Sequence, residues 1–103
     1  MDEMKRARVK VGLNMFPVGF SMQTPNIYRK AFKSNFWTDI SIESNRTDDN
    51  YNIPETERIA WQVAWAVAKT ANPKIPPLDK WVEKFKNISG VAVMNKAWEK
   101  LHE

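Results

Sequence analysis

The sequence contains no cysteine, one histidine and only three glycines, and each scarcity excludes a class of function. Without cysteine, the chain has no disulfide, no thiol nucleophile and no sulfur ligand for zinc or an iron–sulfur cluster. The single histidine, His102, is the second-to-last residue, where chain ends fray and a catalytic base is poorly held. The glycines, at 12, 19 and 90, are too dispersed to form a phosphate-binding loop. We therefore expect neither a nucleophilic enzyme nor a nucleotide site.

Long apolar runs are missing as well. The most apolar stretch, residues 59–68, is shorter than the about 20 residues that cross a bilayer, and Gln62 interrupts it. The charged first ten residues are followed by no apolar run of signal-peptide length. We expect no membrane span and no secretion, and therefore a cytoplasmic location.

The carboxylates offer no clear active site. Glu55 and Glu57 fall in the first turn of a predicted helix, where the helix dipole favours anions. Asp39 and Glu43 are four residues apart and could share a helix face, which is a common arrangement of two surface acids. A catalytic pair would need a buried cleft. The sequence therefore predicts a protein that is not an enzyme and that has no metal or cofactor.

Aromatic residues are abundant, with five Trp, five Phe and two Tyr in a chain that is 43% hydrophobic. This content is enough for the core of one small domain spanning residues 1–103. The net charge is +4, and four basic residues are concentrated near the start: Lys5, Arg6, Arg8 and Lys10. We interpret residues 1–8 as a flexible basic arm, and the alternative is contact with phosphates.

The first apolar residues alternate along the chain, which predicts two β-strands. They are Val9, Val11 and Leu13, followed by Phe16, Val18, Phe20 and Met22. Residues 12–14 provide the turn, because Gly12 and Asn14 tolerate left-handed backbone conformations. Pro17 lacks an amide donor, so the second strand must lie at a sheet edge or begin there.

Helical spacing dominates the rest of the sequence. The predicted helical segments are 24–34, with the Thr24 hydroxyl as its N-cap, then 35–42, 54–71, 78–85 and 91–101, and residues 45–52 are a predicted loop. The fold class is therefore α+β and mostly α, with an N-terminal β-hairpin followed by four to five helices in one small domain.

The helix 54–71 is apolar almost all round. Trp65 shares a narrow polar face with Arg58, Gln62 and Lys69, and Trp61 lies one turn earlier. Such a helix is either covered on every side within the domain or buries its second face against another chain, and we favour the partner.

A similar question applies to the stripe at the C-terminus, for which docking inside the domain is the simpler explanation and a partner helix or groove the alternative. The candidate partner-binding residues are Trp61, Trp65, Val91, Met94, Trp98 and Leu101.

The order of motifs points to a known family. Residues 9–22 combine a basic hairpin with an extended apolar stretch, and they precede a short helix with Tyr28 and Phe32 and the segment FWTDI at 36–40. RIAWQVAWAVAKTANP at 58–73, a proline-containing linker and LDKWVEKF at 78–85 complete the pattern. In this order, the motifs resemble the tail assembly chaperones of long-tailed bacteriophages and prophages of Gram-positive hosts.

This resemblance implies a non-enzymatic factor that binds the tape measure protein, keeps its long hydrophobic helices soluble and helps recruit tail tube protein. Such a factor works in the cytoplasm of the bacterial host, is absent from the mature virion, and is often made in a short and a frameshifted long form. Self-association stays open. The alternatives are a small phage-encoded nucleic-acid-binding regulator, disfavoured because no basic recognition helix is visible, and a structural virion or connector component.

Overall fold

A β-hairpin opens the described part of the chain, which in the computed structural model comprises residues 4–44 and 53–103. Strands β1 (Lys5–Val11) and β2 (Asn14–Phe20) pair antiparallel. Gly12 and Leu13 connect them, and Gly12 has a φ of +61°, a left-handed conformation that glycine adopts without steric cost. The hairpin predicted from the alternation is confirmed.

β1 begins earlier than the sequence suggested. Residues 5–8, assigned to a flexible arm, belong to this strand and pair with residues 17–20. The arm prediction is therefore wrong for these four positions, because their backbone is held in a sheet, and residues 1–3 lie outside the described ranges. Val9 faces the core, whereas Arg6 and Arg8 alternate to the exposed side of the strand.

Helices make up most of the remaining described chain. They are α1 (Thr24–Phe32), α2 (Phe36–Ser44), α3 (Ile53–Ala71), α4 (Leu78–Trp81) and α5 (Gly90–Leu101), with a 3₁₀ helix at Val82–Lys84 after α4. A hairpin followed by five α-helices confirms the predicted fold class. The single helix predicted over 78–85 is split, because α4 ends after one turn and a 3₁₀ helix follows it directly. The predicted loop at 45–52 lies outside the described residues.

The start of α1 differs from the prediction. Gln23 is the N-cap residue and Thr24 is already helical. The buried Thr24 hydroxyl accepts a hydrogen bond from the Ser21 amide (3.1 Å) and lies 2.7 Å from the Thr70 hydroxyl, which itself donates to the Ala66 carbonyl. Thr24 therefore ties α1 to α3 instead of capping its own helix.

α3 is the centre of the fold, and the hairpin, α1, α2, α4 and α5 all pack against it. From Ile59 to Ala68 every side chain is buried except Trp61, which is half-buried. Four alanines in this stretch, at 60, 64, 66 and 68, let neighbouring elements approach closely. The apolar circumference of this helix is therefore covered largely by the chain itself. None of the helices in the described ranges combines the length and apolarity that a bilayer crossing requires.

Candidate partner-binding site

Trp65 faces the interior of the protein. Its side chain is 6% exposed, and Phe32 packs edge-on against its ring at a centroid distance of 5.3 Å. The indole Nε1 donates a hydrogen bond of 2.9 Å to the Pro76 carbonyl, and the Lys69 ammonium lies 5.4 Å from the ring centroid. Trp65 thus satisfies both its apolar and its polar surface within the chain. In this conformation it offers little area to a partner.

Trp61 occupies the junction between α3 and α5. Its indole contacts the rings of Trp81 and Phe85 at centroid distances of 6.3 and 5.5 Å. It also lies directly on Gly90, where a Cβ atom would come within 2.6 Å of the indole. Glu57, one turn earlier on α3, accepts a hydrogen bond of 2.7 Å from the Gly90 amide at the start of α5. The role of Trp61 that the structure shows is the joining of two helices.

The four predicted residues on α5 divide into two groups. Leu101 is 4% exposed and belongs to the core, whereas Val91, Met94 and Trp98 are half-buried. The residues of α5 that pack most deeply are Gly90, Val93, Ala97 and Leu101. α5 therefore packs against the rest of the domain through a face made mostly of small side chains. Part of the predicted apolar stripe stays accessible at the edge of that face.

An aromatic pocket of about 180 Å³ lies where the C-terminal end of α5 meets the hairpin and α2. It is lined by Lys5, Phe20, Trp37, Trp98, Leu101 and His102. The Phe20 ring lies 5.8 Å from Trp37 and 5.9 Å from Trp98, centroid to centroid. Trp37 is 53% exposed, so a large indole surface meets solvent here.

The walls of this aromatic pocket are held in place from behind. Phe36, which is almost fully buried, contacts Trp37 at 5.1 Å and Phe20 at 6.0 Å between ring centroids. His102 packs against Trp98 at 4.8 Å, and its Nδ1 lies 2.8 Å from the Trp98 carbonyl oxygen. The aromatic residues that line the pocket are therefore held in place by contacts with the buried Phe36 and with His102.

The partner-binding residues predicted from the sequence did not include Trp37 or Phe20. A signal was present, because Phe36 and Trp37 are adjacent on a helix and so point about 100° apart. When one of two such neighbours enters the core, the other is turned towards the surface. Trp98 and Leu101 were predicted as partner-binding residues, and the structure places both in the aromatic pocket. The remaining four predicted residues are not among those that line it.

Asp39 is the most buried carboxylate among the described residues, at 6% exposure, which corrects the expectation of a surface acid. The hydroxyl groups of Tyr28 and Ser34 lie 2.6 and 2.8 Å from its Oδ2 and donate to it. The Tyr28 hydroxyl is also 2.9 Å from Gln62 Oε1. This network links α1, α2 and α3, and it accounts for the buried carboxylate without a catalytic role.

A second depression, of about 870 Å³, follows the exposed side of α1 and the turn after it. It carries the basic residues Arg29, Lys30 and Lys33 and has no aromatic wall. Among the described side chains, no group of three His, Asp or Glu residues is placed to hold a metal ion.

No protein-family model, curated protein or solved structure matches this chain. Among the described surfaces, the aromatic pocket combines exposed indole area with a basic residue at its edge.

Proposed function

We propose that this protein is a non-enzymatic tail assembly chaperone that binds the tape measure protein, keeps it soluble and assists assembly of the tail tube. The proposal joins the resemblance in motif order to one structural observation, the aromatic pocket with its half-exposed Trp37. In this role the protein acts in the cytoplasm of the bacterial host and is left out of the mature virion.

The aromatic pocket suits an apolar side chain that projects from a helix. Amphipathic helices bind grooves by inserting residues spaced three or four apart, and aromatic walls bury much area at a low cost in side-chain entropy. Met22, two residues after Phe20, is 75% exposed and adds an unbranched side chain that adapts to different surfaces. A chaperone for long apolar helices needs adaptable apolar contacts of this kind.

Co-expression with the tape measure protein tests the proposal. We expect the tape measure protein to be insoluble alone and to co-elute with the unmodified chain in size-exclusion chromatography. Trp37→Ala should reduce the amount of complex several-fold, because it removes the exposed wall of the aromatic pocket. The matched control is Leu13→Ala, since Leu13 is 100% exposed at the hairpin turn and is not a lining residue. A tape measure protein that stays insoluble beside the unmodified chain would contradict the proposal.

One observation favours nucleic-acid binding as a second candidate. Arg6, Arg8 and Lys10 are all exposed on the same side of β1. Three phosphate contacts would lower the logarithm of the binding constant by about two to three units for each tenfold rise in salt. Weak binding to DNA and RNA with no such salt dependence would remove this candidate.

A further inference from the structure

The mouth of the aromatic pocket has a chemistry different from that of its walls. Phe20, Trp37, Trp98 and Leu101 are apolar, whereas the two remaining lining residues, Lys5 and His102, are basic in type, and none is acidic. An occupant therefore meets an apolar interior and a cationic group at the edge.

Lys5 is fixed at this edge by the register of the hairpin. It pairs directly with Phe20 across the two strands, and directly opposed residues of an antiparallel pair project from the same face of the sheet. Its side chain therefore leaves the sheet on the same face as the Phe20 ring, whereas Arg6 leaves it on the opposite face. Lysine stems commonly cover apolar surface and leave the charged end in water.

Lys5 carries an exposed positive charge at the aromatic pocket. Among the described side chains, no carboxylate forms an ion pair with Lys5. Glu103, in the C-terminal segment beside His102, pairs instead with Lys100 at 3.5 Å. Within the described residues, the positive charge of Lys5 is therefore available to an occupant.

Building on the proposed function, we infer that the aromatic pocket selects helical segments that carry an acidic residue about one turn from a large apolar residue. The apolar side chain enters between Trp37 and Trp98, and the carboxylate pairs with Lys5. Residues three or four apart lie side by side on a helix, so one segment satisfies both contacts. Charges at the rim of an interface mainly set which partners are accepted and how fast they associate.

Two synthetic helical peptides of about 20 residues, long enough to populate a helix, test this selection. They share a leucine anchor and differ only in having Glu or Lys four residues from it. Calorimetry with the full chain should give about fivefold tighter binding of the Glu peptide at low salt, as an exposed ion pair allows. The difference should shrink at high salt, because exposed charges are screened.

Charge reversal supplies the decisive comparison. Lys5→Glu should invert the preference, so that the Lys peptide binds more tightly. Lys10→Glu is the matched control, since it changes the net charge equally on the outward side of the same strand and should leave the preference intact. Thermal unfolding of both variants verifies that each is folded.

The outcomes separate this inference from the proposed function. Equal affinities for the two peptides, no binding of either, or an unchanged preference in Lys5→Glu would overturn the inference, whereas the proposed function is overturned only by the absence of a tape measure complex. A single-stranded oligothymidylate that binds, and loses affinity in both Lys5→Glu and Trp37→Ala, would show that the aromatic pocket stacks bases, and would overturn the inference as well.

Discussion

The burial of Trp65 changes the interpretation of α3, because the sequence placed this residue on a face available to a partner. If the aromatic face of α3 bound a partner, as the sequence predicts, a variant with both Trp61→Ala and Trp65→Ala would keep its fold largely intact and bind that partner more weakly. The structure leads us to expect the opposite for Trp65, whose ring is buried and whose Nε1 is hydrogen-bonded. Trp65→Ala should lower the free energy of unfolding by about 3–5 kcal/mol, measured by urea denaturation. Trp65→Phe should cost less, because it keeps an aromatic ring and loses chiefly the hydrogen bond.

Trp37→Ala is the matched control for this prediction, because it removes an indole that is 53% exposed. We expect it to change the unfolding free energy by less than half of the Trp65→Ala effect. Equal losses in the two variants would contradict the placement of Trp65 in the core.

The pKa of Lys84 gives a prediction about stability that can be tested at a single residue. Partial burial lowers the pKa of Lys84 below its ordinary 10.5, and its ammonium lies 5.3–5.5 Å from the ring centroids of Phe16, Trp81 and Phe85. The folded protein thus binds this proton more weakly than the unfolded chain does. Its contribution to stability therefore increases as the pH rises from the folded pKa towards 10.5.

The measurement is an NMR titration of the Lys84 side chain in the folded protein and in urea. We expect the lower midpoint in the folded protein, and we expect the stability of the unmodified chain to rise relative to Lys84→Met over that alkaline interval. Identical midpoints in the two states would show that burial does not act on this ammonium group.

At the level of elements, the contact between α3 and α5 depends on Gly90 having no side chain. A Cβ atom there would lie 2.6–2.8 Å from three atoms of the Trp61 indole. Gly90→Ala should lower the free energy of unfolding by about 1–3 kcal/mol through overpacking. Helix propensity alone would give the opposite sign, since alanine is favoured over glycine by about 1 kcal/mol inside a helix.

A double-mutant cycle checks the cause of this effect. In a Trp61→Leu background the smaller side chain leaves room for the new methyl group, so Gly90→Ala should cost clearly less by denaturant unfolding. The same cost in both backgrounds would place the strain elsewhere than at the indole.

Most of the helices and strands could be predicted, because the residues that mark their limits and their apolar faces lie close together in the sequence. The predicted helix 54–71 differs from α3 by one residue at its start, since Pro54 and Asn72–Pro73 mark its limits in the sequence itself. The division of the segment 78–85 into α4 and a 3₁₀ helix is not visible in its apolar spacing, which fits one continuous helix.

The candidate site is harder to predict, because it depends on which of several aromatic residues the core leaves out. The buried face of α5 contains Val93 and Ala97, whose small size gives them little weight in a hydrophobic pattern. The aromatic pocket also joins β2, α2 and α5, which are far apart in sequence, so only the folded chain shows that Phe20, Trp37 and Trp98 meet.

On the scale of the whole molecule, the hairpin and the other helices all pack against α3, so no group of the described elements has a core of its own. We therefore expect a single cooperative unfolding transition with an enthalpy of about 60–80 kcal/mol at the midpoint, as is usual for a domain of about 100 residues. Calorimetry gives the enthalpy, and near- and far-ultraviolet circular dichroism should follow the same curve. Two separated transitions would mean that the hairpin or α5 unfolds independently.

The five tryptophans differ in burial, so their intrinsic fluorescence distinguishes the surface of the protein from its core. Trp81 and Trp65 are 1% and 6% exposed, whereas Trp37 is 53% exposed in the aromatic pocket. We therefore expect a dissolved quencher such as acrylamide to reach Trp37 before the core indoles, and we expect Trp37 to contribute most to the red edge of the emission spectrum. A molecule that fills the aromatic pocket changes the light emitted there without any attached label.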